Sequence, residues 1–499
     1  MKLSYDTIII GSGFGGSVAA STLSSAGQNV LLIERGPWRD SAAVRAAGIQ
    51  NASSLPKGYS SYLDLLHRVG YSKIKGTGKR LNRHGLFDIH FGSEMTVVCS
   101  NGVGGGSHVY SAMNTRPANN QYWNHRSNEL SATSMEEHYQ WMISTMGAKE
   151  PNIDDKIPNF TGERFASSPH FIANDKTGQP AMSVSMNGDA ENYRDNSFFG
   201  SENGAKATLD RILLIPAKAQ GLEIAALHEC LSIWKTHEGY RLEVMDHNAK
   251  RIRQFSAKRV ILAAGTLNTL RLLFRSRALG GLTGLKNLGH GFGGNGDVPG
   301  YWAVNEAGTD FTQGIPCHGR FALRDSKGDI EILPDLLPVD LTSYGLNGIG
   351  NLPMPNFLRR RLKQDLVVVG MGSDNADGVV EWLNGKLSIH YIRQNNPILK
   401  SICRHFDEIA RRSQRPIYYT ERHPLTVHPL GGARLSATPD EGVINGNGEV
   451  WDSPGLFIAD ASALPAAPGT PPSMTISAWS RHVALKILTQ QNNNSGINR

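Results

Sequence analysis

Cysteine is scarce. The 499 residues contain four, Cys99, Cys230, Cys317 and Cys403. They form no CxxC pair and no metal-ligand spacing, so neither a disulfide framework nor a metal site is expected. A reduced, cytoplasmic protein is the simple inference. Long apolar runs are missing too. No stretch approaches the ~20 residues of a transmembrane helix. The opening "MKLSYDTIII" runs straight into a strand, without a charged leader or cleavage site. No heptad, collagen-like period or solenoid repeat is present. Charge of one sign dominates weakly: 51 Lys and Arg stand against 44 Asp and Glu, a net +7. The densest basic run, "LRRRLK" at 358–363, is short. It reads as a solvated face, with a membrane-surface role as a minor reading, and nucleic acid is not an expected partner.

Glycine is what the chain has in quantity: 54 residues, in clusters. The first cluster has a recognisable context. "DTIII" (6–10) is a short β-branched run of the kind that forms a buried parallel strand. "GSGFGG" follows, with Gly11, Gly13 and Gly16 in G-x-G-x-x-G spacing. Then comes "SVAASTLSSAG", compatible with a helix, and "NVLLIE", a second buried strand ending at Glu34. Gly11 permits a tight turn, Gly13 lets backbone approach a pyrophosphate, and Gly16 lets the helix pack close to the strand. The helix N-terminus faces phosphate charge. Glu34 stands where a ribose diol is read, and an acid there disfavours the 2′-phosphate of NADP. The motif alone does not decide between FAD and NAD.

Three later stretches end a strand at a small-residue loop: "NGVGGGSHVYSAM" (101–113), "RVILAAGTLNTLRLL" (259–273) and "GLFIADASALP" (455–465). Such loops converge at the carboxyl edge of one sheet, where these folds bind ligands. Together with "GAKATLDRILL", "GHGFGGNGD" and "HPLGGARL", these stretches resemble the glucose–methanol–choline (GMC) oxidoreductases, and within them the cholesterol-oxidase-like branch. The resemblance covers essentially the whole chain and is thinnest over 120–200 and 300–420. It implies an α/β plus α+β architecture, a Rossmann-like FAD-binding domain interleaved with an antiparallel-sheet substrate domain. The FAD-binding part takes 1–120, 205–300 and 425–490, the substrate-binding part 121–204 and 301–424, and 491–499 form a disordered tail. It further implies noncovalent FAD and oxidation of a small-molecule alcohol (sterol-, terpenoid-, sugar- or antibiotic-intermediate-like) to a ketone or aldehyde by hydride transfer to flavin N5. The electron acceptor is O2 or unassigned. A non-redox lyase or isomerase of the family and a noncatalytic flavin protein are the alternatives.

Carried over residue by residue, Gly105 and Gly106 meet the flavin, and Tyr110 and Met113 lie beside its ring. The Cys230 backbone touches adenine. Asp460 binds flavin ribityl or phosphate-side groups through water or backbone, and Ala461 turns an N–H toward the flavin. His428 is the active-site histidine. Alcohol oxidation needs a group of near-neutral pKa beside the hydroxyl, and Pro429 with Gly431 and Gly432 gives the sharp turn that presents it. His423 lacks the glycines and reads as structural or solvent-exposed. Glu331 is the expected carboxylate near the hydroxyl, with Asp335 as the fallback. One departure stands out. The family's second catalytic partner, an asparagine or histidine, falls at Pro471, which offers neither a donor nor a base; Thr470 or Ser473 is left to supply the polar contact, or the loop is shifted, or the chemistry differs. His108 follows Ser107 directly, one place short of the histidine that tethers FAD in some members, and a one-residue shift on an extended segment reverses the side chain. Finally, "DGVVEWLNGKLSIHYI" (377–392) alternates like a hairpin turning at Asn384-Gly385 and suits the antiparallel sheet over the flavin, and "NIDDKIPNFTGERFASSPHF" (152–171) reads as a loop or lid.

Overall fold

A computed structural model describes residues 1–56, 64–71, 78–151, 153–155, 157, 173–174, 180–323, 327, 331–349 and 352–496. The stretch expected as a loop or lid lies mostly outside them. The N-terminal motif folds as its sequence dictates: β1 (Ser4–Ile10), α1 (Phe14–Ser25) and β2 (Val30–Ile33). Ile8, Ile9, Leu31 and Leu32 are wholly buried, the mark of strands covered on both faces. β1 pairs in parallel with β2 and with the strand Arg251–Leu262, which in turn pairs with Leu456–Ile458. The register is the important fact. Ile10 lies opposite Ile33 and Leu262, and Leu262 opposite Ile458. Four strands thus end level, and the loops at Gly11, Glu34, Ala263–Gly265 and Asp460 leave from one edge. Two antiparallel strands, Gly239–Asp246 and His228–Thr236, extend the sheet.

A six-stranded antiparallel sheet follows in the order Ile417–Tyr419, Val298–Trp302, Leu366–Met371, Asp340–Tyr344, Cys317–Ala322, Ala173–Asn174. The helix Pro397–Ser413 packs on one face. A Cβ at Gly370 would collide with Ile402, and one at Gly300 would crowd Phe406 and Ile417, so glycine is what lets the helix sit there. The opposite face carries Val369 and Tyr344, which pack with Ala112, Met113 and Met182. The sheet therefore lies over the segment that follows Gly105 and Gly106.

Three expectations need correction. The hairpin forms, with Asn384 (φ 53°) and Gly385 (φ 75°) both left-handed at its turn. Its outer partner is His290–Phe292, however, and the three strands make a sheet of their own, separate from the large antiparallel one. Residues near 121–145, expected in the substrate part, lie on the other side: the helix Ala132–Thr145 packs on the C-terminal helix Ser473–Gly496, and Trp123 stacks on Trp479 with centroids 5.9 Å apart. That C-terminal helix continues to Gly496, so most of the tail expected to be disordered is helical. No helix among the described residues is long and apolar enough to cross a membrane.

Several histidines are deeply buried, His67 with its Nδ1 2.6 Å from the Asp88 carboxylate. Burial holds His67, His90 and His482 down to about 4 and His138 to about 3. A folded-state pKa below the unfolded value of 6.5 means that the unfolded chain binds more protons in between. The stability these groups contribute is complete above pH ~6.5 and is lost as pH falls toward ~4. The melting temperature, followed by differential scanning fluorimetry, is therefore expected to fall steadily across that window, and His482→Gln to make the fall shallower.

Candidate active site

The glycine-rich turns meet at the level strand ends. Gly11 is left-handed (φ 97°), and a Cβ there would strike the Ala263 carbonyl. A Cβ at Gly16 would strike the Gly11 carbonyl, and one at Gly15 the Ala459 carbonyl. Gly105 (φ 52°) lies on Gly13, 2.6 Å from a Cβ built at Gly105 to the Gly13 Cα. Gly13 itself faces open space, with no atom within 4 Å of an added Cβ. It heads α1 with no side chain capping the helix, so the first amides point outward as an anion cradle.

Glu34 holds this loop. Its Oε2 accepts from the Ser12 N–H (3.1 Å) and hydroxyl (2.7 Å), and Oε1 from the Gly36 N–H (2.8 Å). A carboxylate has about four acceptor positions, so one is left for a ribose hydroxyl. Arg35, next in sequence, gathers the neighbouring segments: Nη2 meets Asp88 (2.5 Å), Nε donates to Asn101 (3.0 Å) and Nη1 to Asn268 (3.2 Å). Asp460 caps the start of the helix Thr266–Ala278, accepting from the Gly265 N–H (2.9 Å) and the Thr269 hydroxyl (2.6 Å), while its other oxygen takes Ser462. Its carboxylate is thus engaged within the protein, and burial pushes its pKa up. The Cys230 thiol is buried and pushed up to about 12, so its chemistry is inert. An uncapped helix head, an open Gly13, a spare lone pair on Glu34 and the exposed backbone of Gly265 together fit a dinucleotide such as FAD.

Beyond Gly106 the chain is pinned from below. Lys206, wholly buried, donates to the carbonyls of His108 (2.9 Å), Tyr110 (3.1 Å) and Ser197. Burial brings its pKa to about 7. Tyr110 donates to the Ala207 carbonyl and packs edge-on against Phe14. Met113 is buried, and its sulfur accepts from the Tyr344 hydroxyl at 3.3 Å. His108 is buried too, its Nε2 2.7 Å from the Val103 carbonyl.

His428 stands above this edge. Its loop is tied through Leu430 to Gly293 by two backbone bonds of 3.0 Å, to the Ala461 carbonyl through the Gly431 N–H (2.9 Å), and to Thr266, whose hydroxyl donates to the Pro429 carbonyl (2.6 Å). Its Nδ1 lies 3.0 and 2.8 Å from the two oxygens of Asp297. Asp297 is 3% exposed and also takes Thr426 Oγ1 (2.8 Å) and the Val427 N–H (3.3 Å). A carboxylate accepts, so Nδ1 carries a proton and Nε2 is the acceptor of the neutral ring. Nε2 has no partner among the described residues, and the side chain remains one-fifth exposed. Asp297 was not singled out from the sequence. It closes "GHGFGGNGD", but nothing local signals a histidine 131 positions away.

Two sequence expectations are not met. Glu331 is not brought to His428. It pairs with Arg412 at the end of the helix Pro397–Ser413, where Glu408 also binds. Asp335 is exposed, in a left-handed turn. As for the departure at Pro471, Thr470 donates to the Arg116 carbonyl (2.8 Å) and Ser473 to that of Met113 (3.4 Å), so both hydroxyl protons go to backbone. His423 rests against the Thr96 hydroxyl (2.9 Å), a structural contact.

Known proteins agree with this architecture. A cholesterol oxidase of Acinetobacter baumannii is 23% identical, covering 95% of this chain and 92% of that protein. One from Mycobacterium tuberculosis (strain CDC 1551 / Oshkosh) is 24% identical, covering 97% and 91%. A long-chain-alcohol oxidase of Arabidopsis thaliana is 22% identical over 97% of this chain and 67% of its own. Among solved structures, a fungal aryl-alcohol oxidase superposes with a TM-score of 0.60 at 14% identity, over 98% of this chain and 100% of that one. Residues 5–290 match the N-terminal pattern of the GMC oxidoreductases and residues 401–480 the C-terminal one; the chain belongs to the GMC oxidoreductase family.

Proposed function

We propose that this protein oxidises an alcohol to a ketone or aldehyde, with noncovalent FAD and with His428 as the base. The observation that carries the reading is His428 itself: Nδ1 is fixed by the buried Asp297, Nε2 is left without a partner, and both stand over the edge where the glycine turns meet. Bound FAD supplies the hydride acceptor. His428 Nε2 takes the hydroxyl proton as the C–H bond breaks, and Asp297 stabilises the imidazolium through Nδ1–H. Glu34, Gly13, Gly105 and Gly106 hold the cofactor's polar length. The apolar cluster of Ala112, Met113, Met182, Cys317, Tyr344 and Val369, packed between the antiparallel sheet and the segment after Gly106, favours an apolar alcohol, at the sterol or terpenoid end of the range more than the sugar end. The names of the relatives, which point to cholesterol, long-chain alcohols and aryl alcohols, support the same class. His108 is turned to Val103, which favours unattached FAD. Four free thiols favour a cytoplasmic setting.

The first expected outcome is spectroscopic. Acid precipitation releases all the yellow flavin. Under anaerobic conditions one of cholesterol, 1-dodecanol or benzyl alcohol bleaches it, and admitting air distinguishes O2 from another acceptor. Flavin that stays oxidised with every alcohol tried moves the assignment toward a non-redox lyase or isomerase. The second is kinetic. His428→Ala lowers the rate of anaerobic flavin reduction by about 100-fold or more, and Asp297→Asn, which leaves the imidazolium without its carboxylate, by about tenfold or more. Full activity in His428→Ala would remove that residue from the chemistry.

A further inference from the structure

The loop Gly293-Gly294-Asn295-Gly296-Asp297 is gripped from three sides. At its end Asp297 meets His428. At its crest Asn295, wholly buried, donates to the Thr470 carbonyl (3.1 Å) and accepts from the Gly469 N–H (2.9 Å). One side chain thus fixes the spacing between the His428 wall and the stretch holding Pro471. Asn295 (φ 58°) and Gly296 (φ 59°) are both left-handed, a curl that turns successive amides inward as an anion-binding nest. The carboxylate in that nest belongs to Asp374, from the loop after the strand Leu366–Met371. Its Oδ2 accepts from the Gly294 N–H (2.7 Å) and the Tyr391 hydroxyl (3.3 Å), and the Gly296 N–H is directed at the same carboxylate. Asp374 is 5% exposed, and its second oxygen has no partner. A buried carboxylate left half-satisfied beside another carboxylate costs stability. Its placement is accounted for by what it holds.

Resting on the reading of His428 above, we propose that Asp374 is a positioning residue for the base. It locks the 293–297 loop, so that Asp297 meets His428 Nδ1 and Asn295 keeps the Thr470–Pro471 turn at a fixed distance. With no donor at Pro471, the alcohol is oriented chiefly by His428, and this loop sets where that histidine points.

The test uses the holoenzyme and reads His428 directly. In proton NMR the hydrogen-bonded Nδ1–H of His428, assigned by its disappearance in His428→Ala, is expected in the wild type and in Asp374→Asn, whose amide oxygen still accepts from Gly294. In Asp374→Ala it is lost or moves upfield; an unchanged signal there overturns the proposal. Kinetically, Asp374→Ala is expected to lower kcat by about tenfold with KM within about threefold, and Asp374→Asn to restore most of it. In the His428→Ala background Asp374→Ala should change nothing further; an equal loss with and without His428 overturns the proposal. A His428→Ala enzyme of full activity sinks instead the functional reading on which it rests. Should Asp374→Ala not fold, Asn295→Asp decides: it turns the donor facing Thr470 into an acceptor, and an unmoved His428 signal counts against the loop as the strut.

Discussion

The structure depends on how closely backbone approaches backbone at one sheet edge. Four strands end level at Ile10, Ile33, Leu262 and Ile458, so the turns leaving them are crowded into a few ångströms. Gly11, Gly15, Gly16 and Gly105 each stand where a Cβ would meet a neighbouring main chain. A residue with a side chain would push α1 off the sheet or the 104–106 turn off Gly13. Glycine weakens regular structure where it sits inside an element, yet here it lets the helix head, its uncapped amides and the second glycine turn face the same open space. Cofactor affinity and fold share one cause.

Buried carboxylates are the second device. Glu34, Asp460, Asp297 and Asp374 are each nearly sealed from solvent, where an unsatisfied charge is costly. Each is surrounded by N–H and O–H donors from segments far apart in sequence: Glu34 by Ser12 and Gly36, Asp460 by Gly265, Thr269 and Ser462, Asp297 by Thr426 and His428. An acceptor-only group with about four positions can fasten several amides at once, so these acids work as joints between loops. Glu34 keeps one acceptor position beyond its contacts to Ser12 and Gly36, whereas both Asp297 oxygens reach His428 Nδ1.

What was legible in the sequence was local order. Strand, glycines, helix, strand and acid over residues 6–34 form a self-contained unit, and its register follows from its apolar runs. Asn384-Gly385 announced its turn because two adjacent residues must be left-handed. The sharp loop that presents His428 was recognisable from the proline and glycines beside it, Gly431 and Gly432 both being left-handed. Partners were not. Asp297 meets His428 across 131 positions, and no periodicity encodes that. Glu331 shows the reverse failure: the motif pointed to a carboxylate, but its direction is set by Arg412, 81 residues away. The sheet that the hairpin joins and the side on which the helix Ala132–Thr145 packs depended in the same way on distant surfaces.

Pro471 then has a physical consequence. The turn around it is a clamp: Thr470 and Ser473 direct their protons to the backbone of Arg116 and Met113, and Thr115 donates to the Pro471 carbonyl at 3.4 Å. None of these groups is free to donate to a substrate hydroxyl without releasing the segment beside the glycine turn. On the proposed reading, proton handling falls to the His428–Asp297 pair, and orientation falls to shape. The antiparallel sheet packs on that same segment through Met113, Met182, Cys317, Val369 and Tyr344. Tyr344 already spends its hydroxyl on the Met113 sulfur, and burial pushes its pKa well up, so it stays a neutral phenol. Apolar walls discriminate weakly, about 10–200-fold per methylene group. On the proposed reading, an apolar site of this kind accepts alcohols that fill it and excludes others by poor fit, with His428 as the polar anchor that decides which carbon is oxidised.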